Sequence, residues 1–265
     1  MSHHSSMDVV AFGPHPDDVE LCCGGLLLNL ADKGYQTGVI DLTRGELGSN
    51  GTPELREKEA AAASKVLGLS HRENLGLPDG WLSPWPNPVD ESFNQRTDTP
   101  IAKVVEAIRR LRPEIVLIPW EEARHPDHSA ASALLTKAVF LAGVAKFETE
   151  PSTERFVPRQ VLYYQMRYRF HPSFIVDISN VAERKWEAVH CYGSQFQRKE
   201  SSAATLINSN MALEALESRD RYYGAMLGVR HGEPFLCRNT LGMKDPVAFF
   251  RANAYTQPHF FETAS

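Results

Sequence analysis

Cysteine is scarce in this chain of 265 residues: four in all, Cys22, Cys23, Cys191 and Cys237, with no CxxC pair among them. That excludes a disulfide scaffold, a zinc ribbon and a dithiol redox motif, and it fits a reducing cytoplasm. Positive charge is also in short supply. Lys and Arg number 28 against 33 Asp and Glu, a net charge of −5, so neither nucleic acid nor an anionic membrane is an expected partner. No apolar run approaches the roughly 20 residues of a membrane-spanning helix. The opening MSHHSSM lacks the basic and apolar regions of a signal peptide, and residues 1–7 read as a short tail. Internal repeats, low-complexity segments and linkers are missing too, which leaves residues 8–265 as a single domain.

What is present is an alternation of strand and helix patterns. DVVAFG (8–13), TGVIDLT (37–43) and EIVLIPW (114–120) read as buried strands. Helices are expected over 19–33, from Thr52-Pro53 to Gly68, from Thr99-Pro100 to Pro113, and over 128–142. Further on, 160–167 and 173–179 suggest strands, 181–192 and 208–228 helices, and the Pro- and Trp-bearing segment 81–99 a loop at the rim of a site. The expected fold class is α/β, Rossmann-like and doubly wound: a mostly parallel sheet with helices on both faces, whose ligands bind beyond the carboxyl ends of the strands.

The turn after the first strand is FGPHPDD, not the GxGxxG of a dinucleotide site. Prolines replace the glycines that admit a pyrophosphate, and two carboxylates at a helix start repel phosphate. A second cluster, EEARHPDH (121–128), follows another strand. Two His-Pro-Asp units are thus expected on one edge of the sheet. Imidazole and carboxylate donors suit a divalent metal, and three protein ligands leave a position open for water, as a catalytic zinc site requires. His15, Asp18 and His128 are the candidate ligands. Asp17, next to a ligand and facing elsewhere, is the candidate base for a water whose pKa a metal lowers from about 15.7 to about 7. His125 is placed to steady an oxyanion or protonate a leaving amine, and Asp127 to orient that imidazole and favour its charged form.

Blander readings compete. A lone HPD is a turn with an Asp helix cap, and under that reading the chain is a metal-free binding module. Glu20 reads as a first-turn charge, an outer role at the metal being the alternative, and His171, His190, His231 and His259 lack partnering motifs. Arg56, in the first turns of the helix after a glycine-rich segment, is either a surface arginine paired with Glu59 at i,i+3 or a clamp for a substrate anion.

GPHPDDVELCCGG and RHPDH resemble the LmbE-like (PIG-L) metal-dependent deacetylases, which remove acetyl from N-acetylglucosamine conjugates. DLTRGELGSNGTPELREKEA, NLGLPDG, HPSFIVDIS, YGSQF and RYYGAMLGVRHGEPF are similar to the bacillithiol-pathway N-acetylglucosaminyl-malate deacetylases. The resemblance implies one Zn2+ per chain, with Fe2+ as the alternative in cells, held by His15, Asp18 and His128. It also implies Asp17 as base, His125 supporting the tetrahedral intermediate, and Arg56 and Arg159 at the substrate end. The expected partner is a small amino-sugar conjugate, and the expected assembly a homo-oligomer, a hexamer by resemblance. Another N-acetylglucosamine or thiol conjugate is the alternative substrate. Segments 81–99 and 198–211 depart from the family and put the substrate, more than the reaction, in question.

Overall fold

The structure, a computed structural model, describes residues 6–83, 97–197 and 202–252. Most of the expected rim loop 81–99, part of 198–211 and His259 lie outside them. The elements run β1 (Val9–Gly13), α1 (Asp18–Asp32), β2 (Thr37–Thr43), α2 (Pro53–Leu67), β3 (His71–Leu77), α3 (Pro100–Leu111), β4 (Ile115–Pro119), α4 (Pro126–Ala142), β5 (Gln160–Tyr164), β6 (Phe174–Asp177), α5 (Ala182–His190), α6 (Gly193–Phe196), α7 (Asn210–Leu227), β7 (Gly232–Leu236) and α8 (Pro246–Ala252).

The strands form one sheet in the order β3-β2-β1-β4-β5-β7-β6. Alternation along the strands divides the core in two. Val9, Ala11, Val39 and Leu117 join α1, α2 and α5 on one face, while Val10, Phe12, Ile40, Val116 and Ile118 join α3 and α4 on the other. This is the doubly wound class expected. β1 to β5 pair in parallel, and β7 runs antiparallel between β5 and β6. The chain steps outward from β1 to β3 and returns on the other side as β4. Strand order therefore reverses between β1 and β4, where the loops leaving their carboxyl ends diverge and open a crevice.

β3 (HRENLGL) and β7 (GEPFL) are strands that the apolar pattern does not announce. β3 is an edge strand that gives Leu75 and Leu77 to the core and whose charged side chains make ion pairs: Arg72 reaches Asp41 at 2.9 Å and Glu20, and Glu73 meets Arg110 at 2.8 Å. Helix α4 begins at Pro126, two residues before the expected start, because His125 takes the N-cap place. The helix expected over 181–192 is α5, and a short further helix, α6, follows it.

Helix α1 breaks at Cys23 (φ −146, ψ 16). A break orphans backbone groups that a continuous helix would pair. Charged side chains from the far half of the chain take them: Arg219 donates to the Leu21 carbonyl at 2.6 Å, and Glu233 accepts from the Gly25 and Leu26 N–H groups at 2.9 and 2.7 Å. Lys185, fully buried, bridges Glu233 and Asp220. Gly25 is needed for this packing, since a Cβ there would fall 2.7 Å from Ile178. Among the described residues no helix is long and apolar enough to cross a membrane.

Candidate active site

The loops leaving β1 and β4 bring the two His-Pro-Asp units together. His15 Nδ1 lies 3.2 Å from Asp18 Oδ2 and 3.3 Å from His128 Nε2, and the last two are 3.3 Å apart. Bonds of about 2.0–2.1 Å to a tetrahedral zinc would separate neighbouring ligand atoms by about 3.3 Å. The triangle has that edge. Its donors, two imidazole nitrogens and a carboxylate, converge in a largely buried place where lone pairs facing one another call for a cation.

The outer face of the triangle is held as well. His15 Nε2 lies 3.0 Å from Asp79 Oδ1 and 3.5 Å from Asp127 Oδ2. With its proton on Nε2, directed at these carboxylates, Nδ1 keeps its lone pair for a metal. Asp79 Oδ2 accepts from the Leu47 N–H at 2.9 Å, and Asp127 Oδ2 from the Gly80 N–H at 2.6 Å. Burial opposes charge on His15, yet hydrogen bonds to Asp127, Asp18 and Asp79 prevail and raise its pKa. For Asp18, burial is outweighed by His128 and His15, which hold the carboxyl well below its ordinary range. Asp79 was not among the expected site residues. Its only signal is LPDG at the end of β3, a strand that apolar periodicity does not reveal.

Asp17 occupies the N-cap place of α1 but makes no cap hydrogen bond, and its backbone is left-handed (φ 119, ψ −29). A capping Asp sits in extended backbone and accepts from the first turn; here the carboxylate turns away and accepts from Arg56 Nη2 at 3.0 Å. Burial pushes the Asp17 carboxyl up to about 8, against the pull of the Arg56 guanidinium.

Arg56 is buried, not a surface residue paired with Glu59; Glu59 accepts instead from the N–H and hydroxyl of Ser194, both at 2.7 Å. The guanidinium also donates to the carbonyls of Pro16 and Gly45. It can approach only because residue 45 is glycine (φ 66): a Cβ there would lie 1.9 Å from Arg56 Nη1. Arg56 lines the cleft, but it is engaged with Asp17 and does not stand free as an anion clamp.

His125 stacks on His128, ring centroids 4.9 Å apart. Its Nδ1 accepts from the Asp127 N–H at 3.3 Å, so the neutral ring carries its proton on Nε2. The Asp127 carboxylate is turned to His15 and Gly80, so the contact that orients His125 comes from the Asp127 backbone. Burial and the nearby His15 and His128 lower the His125 pKa, against the expectation of a favoured charged form.

Arg159 does not belong to this site. It precedes β5 at the opposite, amino-terminal edge of the sheet, its side chain 79% exposed and 3.5 Å from Glu114. Glu20 has no role at the triad; it is fully buried and bonded to Arg72 and Tyr192. His171, His190 and His231 lie outside the cleft lining. The cleft itself has a volume of about 930 Å3, and His15, Asp17, Asp18, Asp79, His125 and His128 share one part of its wall.

Residues 10–139 match the PIG-L family, GlcNAc-PI de-N-acetylase. Diacetylchitobiose deacetylase of Thermococcus kodakarensis is 30% identical over 235 residues, covering 85% of this chain and 80% of that protein. A probable N-acetyl-alpha-D-glucosaminyl L-malate deacetylase 2 of Bacillus cereus is 25% identical over 218 residues, 77% of this chain and 91% of the relative. The crystal structure of the conserved protein TT1542 from Thermus thermophilus superposes with a TM-score of 0.76 at 42% identity, covering 90% of this chain and 98% of that one. Fold and relatives define an α/β protein of the de-N-acetylase type. The chain belongs to the PIG-L family, whose members are deacetylases.

Proposed function

We propose that the protein is a zinc-dependent amidohydrolase that removes the acetyl group of N-acetylglucosaminyl-malate, giving glucosaminyl-malate and acetate. The observation that carries the reaction type is the triangle of His15, Asp18 and His128 with a buried, non-capping Asp17 beside it. The malate aglycone is supported by the Bacillus cereus relative. Deacetylation of a chito-oligosaccharide is the second reading, supported by the higher identity to the Thermococcus protein.

His15, Asp18 and His128 would hold one Zn2+, or Fe2+ in cells. Bound there, the metal supplies Lewis acidity that eases deprotonation of water and polarises the acetyl carbonyl. In the hydrolysis, water oxygen bonds to the carbonyl carbon, the carbon–nitrogen bond breaks, and one water proton ends on the amine. Asp17 takes that proton and returns it to the departing nitrogen. Arg56 keeps Asp17 aimed away from the helix end, and Asp79 and Asp127 keep His15 in one tautomer. His125 donates from Nε2 to the oxygen that gains negative charge as water adds.

Acetate release from N-acetylglucosaminyl-malate and diacetylchitobiose, measured with metal content, tests the reading. Turnover with one zinc per chain, lost on chelation, is expected. A metal-free protein of undiminished stability would return the binding-module reading. Cytoplasmic location and a homo-oligomer, a hexamer by family resemblance, complete the proposal; sedimentation velocity checks the assembly.

A further inference from the structure

Helix α1 opens with two acids in the places that usually close a helix end. Asp17 is at the N-cap and Glu20 follows three residues later, the spacing of a reciprocal capping pair. Neither caps. Asp17 accepts from Arg56 at 3.0 Å, while Glu20 Oε1 accepts from Arg72 Nη1 and the Tyr192 hydroxyl. Glu20 Oε2, also buried, has no hydrogen-bond partner. A carboxylate oxygen left unpaired inside a protein is destabilising. The first turn thus forgoes its local bonds at both positions and takes an arginine at each.

The second arginine reaches farther than the first. Arg72, on β3, donates from Nε and Nη2 to the two oxygens of Asp41 at 2.9 and 3.0 Å. Its Nη2 also meets the Tyr192 hydroxyl at 2.9 Å, and its Nη1 serves Glu20, the Ala60 carbonyl at 3.3 Å and Ser64 Oγ at 3.5 Å. A guanidinium carries five N–H donors in one plane, and here all are engaged. The partners lie on β2, the first turn of α1, α2, and the junction of α5 with α6. Two of them adjoin the Asp17–Arg56 pair along the chain. Glu20 is three residues beyond Asp17, and Ala60 is four beyond Arg56, about one helical turn.

That pair needs outside support. The left-handed backbone of Asp17 (φ 119) is a conformation that persists only where its surroundings impose it. On the side before Asp17, Arg56 holds the Pro16 carbonyl; on the side after it, Arg72 holds Glu20. We infer that Arg72 is a positioning residue for the hydrolysis: gripping α1 through Glu20 and α2 through Ala60, it sets the separation and aim of the Asp17–Arg56 pair. It touches neither the pair nor the metal triangle. The inference rests on the deacetylase reading, in which Asp17 moves the proton.

Arg72→Lys keeps a positive charge but cannot span these acceptors as a planar fork does. In zinc-loaded protein, acetate release from N-acetylglucosaminyl-malate and diacetylchitobiose should show kcat lowered by about 10- to 100-fold, with KM within about twofold of the parent. Metal content should not change. The decisive measurement is a double-mutant cycle. A strut that acts through Asp17 has nothing left to act on once the base is gone, so Asp17→Asn/Arg72→Lys should be no slower than Asp17→Asn. Losses that multiply in the double variant mark a general loosening of the fold and overturn the inference, as does an undiminished kcat in Arg72→Lys. Should Arg72→Lys fail to fold, Tyr192→Phe removes a single hydroxyl from the same cluster and carries the same cycle, with a smaller kcat loss expected and the same two results overturning it. A wild-type protein that releases no acetate from either substrate overturns the deacetylase reading and the role of Arg72 with it; an active wild type beside a fully active Arg72→Lys overturns the role alone.

Discussion

Asp17 is the residue at which sequence and geometry pull in different directions. Its left-handed backbone is costly for any residue but glycine, by about 1–3 kcal/mol, and its carboxylate does not repay the helix it begins. Asp17→Asn preserves shape and the tolerance of that backbone, so metal content should be unchanged while kcat falls by roughly 10²–10⁴, as loss of a general base implies; metal analysis beside acetate-release kinetics checks both halves. Loss of metal instead would make Asp17 a ligand. Asp79→Asn acts one bond further out and should weaken metal affinity by roughly 10–100-fold, read by competition with a chelating dye. The adjacency of two His-Pro-Asp units at strand ends made His15, Asp17, Asp18 and His128 legible in the sequence. Asp79 was not, because its meaning depends on β3 lying beside β2, and neither was the Arg56–Asp17 pair, whose partners are separated by 39 positions.

Among elements, α1 shows how distant charges replace missing helical bonds. Lys185 sits between two buried carboxylates, and Lys185→Met would leave Asp220 and Glu233 without it; a loss of about 3–5 kcal/mol is expected from removing one partner of a buried ion cluster, measured by denaturant unfolding. Burial lowers the Lys185 pKa, but Asp220 and Glu233 prevail and raise it above 10.5. A raised lysine stabilises fully below its unfolded value and loses that contribution as pH climbs through the folded one. The gap between the two proteins should therefore hold steady from about pH 7 to about pH 10 and shrink only in stronger alkali. Strands buried on both faces, such as β1 and β4, were readable as apolar runs. β3 and β7 were not, since ion pairs and antiparallel insertion shape them more than periodicity does.

At the scale of the molecule, the reversal of strand order between β1 and β4 decides where chemistry can happen, and four successive loops, after β1, β2, β3 and β4, meet there. A ligand that binds only this assembled state stabilises it by mass action. Free zinc at a thousand times its Kd is worth about 4 kcal/mol, so a chelator should lower Tm by roughly 10 °C in a domain of this size, and scanning calorimetry with and without chelator reads the difference. His15 and His128 stand 113 positions apart, and neither the first nor the second half of the triad can grip an ion by itself. An ion held by both would therefore need β4 docked against β1 before all three ligands could reach it. Molecules that misassemble would emerge empty, and the ratio of zinc to polypeptide in a preparation becomes a census of those that reached the native topology.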